Sequence, residues 1–283
     1  MSALLSVDNV SKSFTRGGLL SRLRIDAVRD VSFTLDAEKP EIFAIIGESG
    51  SGKSTLARMI LGMLAPTSGR LSLAGRDIAA FARAEPRAFM GLAQPIFQNP
   101  FEAFNPLKKI DHYLFLTAER FGGAALGAAT DGAVDAAMRQ VGLSLDEVRG
   151  RFPHEMSGGQ LQRVAIARAL LAKARLIVAD EPVSMVDASL RMSIVNLFGR
   201  LRDAHGLSIV YITHDLATAY YIADRLIIMR KGEVVEAGAA RDVLAAPQHP
   251  YSKTLREAVL TPDSAGLFRA SRKIHHPVSG DRS

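Results

Sequence analysis

Apolar and polar residues alternate in two stretches near the start of the chain, Leu5-Ser6-Val7 and Val31-Ser32-Phe33-Thr34-Leu35. Period-two alternation marks a strand with one buried face, so the chain begins β-rich. Between the two stretches, Phe14 to Arg24 carries Gly17-Gly18 and several arginines and reads as an exposed loop. Ile42-Phe43-Ala44-Ile45-Ile46 is continuously apolar, as a strand covered on both faces must be. Leu56, Met59, Ile60 and Met63 then recur at helical spacing, predicting a helix that runs on until Pro66. Leu71-Ser72-Leu73 alternates again, and Pro95-Ile96-Phe97 reads as a strand that Pro95 confines to an edge or to its first position, because proline cannot donate to a ladder. Asn99-Pro100 and Asn105-Pro106 bracket a short loop whose Phe101 and Phe104 either form a docking surface or fold back into the core.

From Ile110 to Leu145 the pattern is helical and alanine-rich, with Val134, Ala137, Met138 and Val141 on one face and Gly142 as the expected C-cap. Strand and helix alternate afterwards: Leu176 to Ala179, then a helix with Leu190, Ile194, Leu197, Phe198 and Leu201 inward, then Leu207 to Ile212. Leu226 to Met229 and Glu233 to Val235 flank Lys231-Gly232 as a hairpin. Arg269 to Ser283, polar and basic, reads as a loose tail. The class this predicts is α/β: a largely parallel sheet covered on both faces, an N-terminal antiparallel β region and an inserted α-helical subdomain.

Composition narrows the chemistry. The chain of 283 residues can bury a full core, and it has no cysteine, which excludes disulfides, thiolate metal sites and iron–sulfur clusters. Its start lacks the basic and then apolar pattern of a secretory signal, and no run of about 18 apolar residues suggests a spanning helix. A net charge of +6 suits anionic ligands or a membrane surface, and with no long Lys/Arg run nucleic acid is not an expected partner.

The chemistry is concentrated at strand ends. Gly47-Glu48-Ser49-Gly50-Ser51-Gly52-Lys53-Ser54-Thr55 has the G-x-x-x-x-G-K-S pattern between a strand and a helix, the context of a phosphate-binding loop. Its N–H groups would cradle phosphates, Lys53 would reach the β- and γ-phosphates, and the Ser54 hydroxyl would sit on Mg²⁺. Asp180 closes a buried strand and is followed by Glu181; the pair reads as a Mg²⁺-holding carboxylate and a general base for water. His214 ends the next strand at a parallel position and reads as a side chain touching the γ-phosphate and the water. Ser157-Gly158-Gly159-Gln160 opens another helix. Ser157 with Gln160 makes a capping box, but that leaves the two helix-weakening glycines unexplained, and close approach of a ligand accounts for them better. This is a second anion-binding helix start, about 110 residues after the first, and it invites the nucleotide of a partner subunit.

With these motifs in this order, the chain resembles the nucleotide-binding subunit of ATP-binding cassette (ABC) transporters from about Leu5 to Leu260. The resemblance implies a P-loop NTPase core with a RecA-like sheet over residues 1–260, a helical subdomain over about 101–170 and an extension over 261–283. It also implies that ATP and Mg²⁺ are bound, that Phe14 stacks on adenine, and that Gln98 links Mg²⁺ and water to the membrane partner. Ser157 to Gln160 become the signature that binds the opposite subunit's ATP, and Ser184-Met185-Val186-Asp187 the loop joining the two sites. Met156 and Met185-Val186 replace the commoner Leu and Ala-Leu with apolar residues of similar size. Phe97-Gln98-Asn99-Pro100, His214-Asp215-Leu216 and His249-Pro250-Tyr251-Ser252-Lys253-Thr254-Leu255 are similar to the oligopeptide/dipeptide-importer branch, some of whose members carry oligosaccharides, opines or nickel. The partners implied are transmembrane permease subunits, a second ATP-binding subunit and, indirectly, a solute-binding protein, with the chain peripheral on the cytoplasmic face of the membrane. A soluble ABC ATPase of DNA repair or translation is the remote alternative; it would need a long coiled-coil insertion or a second cassette, and neither is present in the sequence.

Overall fold

A computed structural model describes residues 2–16, 23–122 and 128–259. Two sheets organise it. The first is antiparallel, in the order β2 (Leu23–Asp36), β1 (Ala3–Arg16), β4 (Ser68–Leu73) and β5 (Arg76–Asp77). The second has six strands in the order β10 (Glu233–Ala239), β9 (Arg225–Arg230), β3 (Ile42–Ile46), β8 (Ser208–Thr213), β7 (Leu176–Asp180) and β6 (Ala93–Ile96). All its pairings are parallel except the β9–β10 hairpin. Pro95 accordingly sits on an edge strand.

Eleven α-helices surround the sheets among the described residues. They are α1 (Lys53–Ile60), α2 (Ile78–Ala84), α3 (Pro86–Leu92), α4 (Ile110–Gly122), α5 (Ala128–Gln140), α6 (Leu145–Val148), α7 (Gly158–Leu171), α8 (Ala188–His205), α9 (Leu216–Ile222), α10 (Ala240–Ala245) and α11 (Pro250–Val259). The run α4 to α7 enters between β6 and β7 and is the inserted helical region, with Gly142 ending α5 as expected. Val134, Met138 and Val141 bury against Leu161 and Val164 of α7, and that cluster continues to Ile177 and Phe198 under the parallel sheet. On the sheet's other face, Phe43 and Ile45 meet Leu56 and Met59 of α1 and the apolar side of the antiparallel sheet, including a stack of Phe33 on Phe43. Phe43 and Ile45 point to one face and Ala44 and Ile46 to another cluster, the period-two consequence of a strand covered on both sides.

Three expectations are corrected. Phe14 to Arg24 is not simply a loop: Phe14, Thr15 and Arg16 pair with Ile25, Arg24 and Leu23, so the hairpin continues as strand up to residues 17–22, which lie outside the described residues. Helix α1 stops at Ile60, well short of Pro66, because Gly62 turns the chain with φ of 67°; Met63 is left 56% exposed. In α8, Ile194, Leu197, Phe198 and Leu201 are buried, but Leu190 lies at the surface end of the helix. The two aromatics of the 99–106 loop divide: Phe104 is buried edge-on against Tyr113, and Phe101 is 43% exposed. The tail from Arg269 lies outside the described residues.

Candidate nucleotide-binding site

Parallel strands end on the same side, and here four ends coincide. The register pairs Ile46 with Thr213, Asp180 with Ile212, and Ile96 with Ala179. The loops leaving β3, β6, β7 and β8 therefore emerge together at the carboxyl edge of the sheet, where open α/β sheets take ligands. A cavity of about 670 Å³ opens there, and its wall includes Gly47, Glu48, Ser49, Gly50, Gly52, Lys53, Ser54, Thr55, Gln98, Glu181 and His214.

The loop after β3 has its shape because two glycines allow it. A Cβ at Gly52, whose φ is 103°, would stand 2.2 Å from the Ala27 carbonyl oxygen, and one at Gly47 would stand 2.3 Å from that of Met229. No side chain fits either place. The loop is thus pressed against β2 on one side and β9 on the other. The hairpin tip supports it further, with the Gly232 N–H donating to the Ser51 carbonyl at 3.0 Å.

Lys53, 6% exposed, donates from its ammonium to the carbonyl oxygens of Gly47 and Glu48 at 2.7 and 2.9 Å. Burial pushes its pKa below the usual lysine range, against the opposing pull of Glu181, Asp180 and Glu48. The Ser54 hydroxyl donates to the Asp180 carboxylate at 3.2 Å. Burial holds the Asp180 carboxyl above the usual carboxylate range; the Ser54 hydrogen bond and the Lys53 charge pull the other way, while Glu181 adds to the rise.

Glu181 occupies a left-handed conformation with φ of 51°, a placement costing about 1–3 kcal/mol for a residue other than glycine. It is held there by its N–H on the Ile212 carbonyl at 2.9 Å and by its own carbonyl accepting from the Ser184 hydroxyl at 2.9 Å. The twist directs its carboxylate to His214, whose Nδ1 is 2.6 Å from Oε2. The imidazole is mostly exposed and the carboxylate mostly buried, so the pair stands at the cavity mouth with the acid inside.

The remaining predicted residues stand apart. Phe14 is exposed on the β1–β2 hairpin, with the Lys12 ammonium 5.4 Å from its ring centroid. Ser157 to Gln160 and Asp187 do not line the cavity. The capping box at Ser157 is complete: the Gln160 N–H donates to Oγ at 3.2 Å, and the Ser157 N–H donates to Gln160 Oε1 at 3.0 Å. Within this chain, the neighbours of the two glycines come from the loop after β7 and the first turn of α8. A Cβ at Gly158 would lie 3.3 Å from the Met185 carbonyl oxygen, and one at Gly159 would lie 3.4 Å from Leu190. The proximity expected of a ligand is thus already met in part by the chain itself. Asp187 begins α8 without capping it and is exposed.

Sequence reasoning passed over several contributors. Ala27 and Leu255 also line the cavity, and the Tyr251 hydroxyl accepts the Glu48 N–H at 3.0 Å. Tyr251 and Leu255 belong to a motif that had served only as a branch marker. Gln162, almost fully buried, donates to the Phe97 carbonyl at 3.3 Å, next to Gln98. Arg168 donates to the Ala103 carbonyl at 3.0 Å, with its guanidinium over Phe104.

A parallel sheet carrying a phosphate loop on one strand end and an acid pair and histidine on its neighbours defines a P-loop nucleoside triphosphatase. A family model described as ABC transporter matches residues 28–184. The chain is 39% identical over 282 residues, 99% of its length and 77% of the relative's, to a probable peptide ABC transporter ATP-binding protein of Sinorhizobium fredii. It is 40% identical over 230 residues, 81% of its length and 69% of the relative's, to the oligopeptide transport ATP-binding protein OppF of Salmonella typhimurium. Among solved structures, the dimeric post-hydrolysis state of the ATP-binding cassette MJ0796 with ADP and Pi superposes with a TM-score of 0.72 at 28% identity, covering 84% of this chain and 99% of that one. The chain belongs to the ABC transporter family and is one of its ATPases.

Proposed function

We propose that the chain is the ATP-hydrolysing subunit of an importer for peptides or chemically related small solutes, working peripherally on the cytoplasmic face of a membrane. The peptide and oligopeptide transport for which its relatives are named supports the cargo class. Among the described residues no helix is long and apolar enough to cross a membrane, so the translocation path belongs to separate permease subunits in this reading. Phe101 and the 82% exposed Leu107 supply an apolar contact for them beside Gln98. A solute-binding protein would deliver the cargo from the other side.

The observation that carries the catalytic reading is the Glu181–His214 pair at 2.6 Å, facing a cavity floored by the phosphate loop. Loop N–H groups and the helix α1 dipole bind the phosphates, and Lys53 exchanges its two carbonyl partners for β- and γ-phosphate oxygens. Glu181 accepts a proton from water as the water oxygen bonds to the γ-phosphorus and the bond to the β-phosphate oxygen breaks, leaving ADP and phosphate. His214 keeps the Glu181 carboxylate aimed and contacts the γ-phosphate. The donors Ser54 Oγ, the Asp180 carboxylate and the Gln98 side-chain amide fit Mg²⁺, a hard cation preferring oxygen ligands. Bound there, it would neutralise charge on the β- and γ-phosphates. Phe14 stacks on the adenine.

The site closes when a second ATP-binding subunit, this chain or a paralogue, presents its Ser157 to Gln160 to the γ-phosphate, with Asp187 at the seam. The dimeric, ADP- and Pi-bound state of the MJ0796 cassette supports that assembly. The test is Glu181→Gln. It should still bind ATP, lose hydrolysis by a factor on the order of a hundred or more, and trap a closed dimer visible in sizing chromatography. Normal turnover by that variant would remove Glu181 from the base role.

A further inference from the structure

Helix α11 lies far along the chain from the phosphate loop, yet it meets the loop at two points on one face. Tyr251 and Leu255 are four residues apart, so their side chains share a face of the helix. The Tyr251 hydroxyl accepts the Glu48 N–H at 3.0 Å, and Leu255 lines the cavity wall. We propose that Tyr251 is a positioning residue for ATP, a brace that holds the phosphate loop in its binding shape, with Leu255 closing the cavity beside it. The proposal rests on the reading of this cavity as the ATP site.

The brace is itself anchored. The Glu236 carboxylate on β10 accepts the N–H groups of Gln248 and His249 at 2.8 and 3.2 Å, which fixes the start of α11. His249 Nδ1 accepts the Tyr251 N–H at 3.1 Å, and the Arg230 guanidinium on β9 sits 4.9 Å from the centre of the tyrosine ring. Ring and backbone are therefore held independently of the hydroxyl, whose oxygen is left to do one thing: satisfy an N–H at the second position of the loop. Without it that N–H would turn to water, and the loop would sample conformations that must be given up when ATP binds. Such a cost falls equally on bound substrate and transition state, so it appears in KM and not in kcat.

The experiment is steady-state phosphate release by the full chain over a range of ATP concentrations. Tyr251→Phe keeps the ring under Arg230 and removes only the acceptor. It should raise KM for ATP about threefold to tenfold, with kcat within about twofold of the parent and an unchanged thermal midpoint. Thr254→Ala, on the same helix but bonded only to the Pro250 carbonyl, should leave both constants unchanged. An unchanged KM in Tyr251→Phe overturns the brace, and so does an equal rise in Thr254→Ala, which would mean that any disturbance of α11 suffices. If the parent itself releases no phosphate from ATP, it is the reading of the cavity that fails; a hydrolysing parent with an unaffected Tyr251→Phe sinks the brace alone.

Discussion

The starts of α1 and α7 are both glycine-marked helix N-termini suited to anions, but they are built on opposite principles. At α1 the glycines are demanded by the chain's own fold: Gly52 has φ of 103°, and added carbons at Gly47 and Gly52 would run into backbone carbonyls little more than 2 Å away. That terminus also buries charge, with Lys53 and Asp180 both shifted toward their neutral forms by desolvation. At α7 the start is capped by Ser157 and Gln160, its glycines keep ordinary helical backbone, and a carbon on Gly159 would make only van der Waals contact. One site is finished by its own chain. The other is folded without strain and left open, as suits a surface completed by another subunit.

Substitutions at Gly52, Gly159 and the half-buried Asp180 test the contrast, and the largest effect is expected at Gly52. Gly52→Ala should lose about 2–5 kcal/mol of stability in chemical denaturation, from the left-handed backbone and the clash with Ala27, and should lose ATP binding with it. A stable, ATP-binding variant would mean that the loop does not need its strained shape. Gly159→Ala should behave in the reverse way. Helix propensity favours it by up to about 1 kcal/mol, so its melting should hold or rise and ATP should still bind, while the added carbon, seated against Leu190 and Val186, shifts the turn that meets the partner's nucleotide and lowers hydrolysis about tenfold. Unimpaired hydrolysis would show that nothing docks on that turn.

The smallest effect concerns the buried charge. Because the folded state raises the Asp180 pKa, it favours the protonated form; below the unfolded pKa both states are protonated and nothing is lost. As pH rises through the ordinary carboxylate range and then the raised value, an ionised Asp180 costs stability. Asp180→Asn, without nucleotide, should therefore melt higher than the parent at neutral pH, with the gap closing near about pH 3. A gap that stayed constant with pH would assign the gain to packing.

Much of this was legible in the sequence because backbone-level demands leave local traces. The phosphate loop, the acid at a strand end and Ser157 with Gln160 are contiguous patterns, and each was found in its predicted local setting. The failures came where one pattern has two structural meanings. Phe14 to Arg16 lie beside glycines and arginines, which disguised strand as loop, and only pairing with Leu23 to Ile25 made it strand. Met63 keeps helical spacing after the helix has already ended at Ile60. Phe101 and Phe104 are chemically alike, and nothing short of the three-dimensional placement of Tyr113 and Arg168 decides which is buried. Tyr251 was beyond reach for a different reason: its partner, the Glu48 N–H, is 203 residues away.

Helix α7 is pinned to the segment after β6 at two points, Gln162 to the Phe97 carbonyl and Arg168 to the Ala103 carbonyl. Its 14 residues make a rod about 21 Å long. Each rivet runs from a side chain of the helix, buried at Gln162 and half-buried at Arg168, to a main-chain carbonyl of the segment, so there is little slack in the joint. A push on the loop carrying Phe101 would swing the far end of the rod, the Ser157 turn, as a lever swings about its pivot. In the proposed assembly the helix is then a mechanical linkage, and its stiffness would set how faithfully a movement in one protein is felt at the seam with the next.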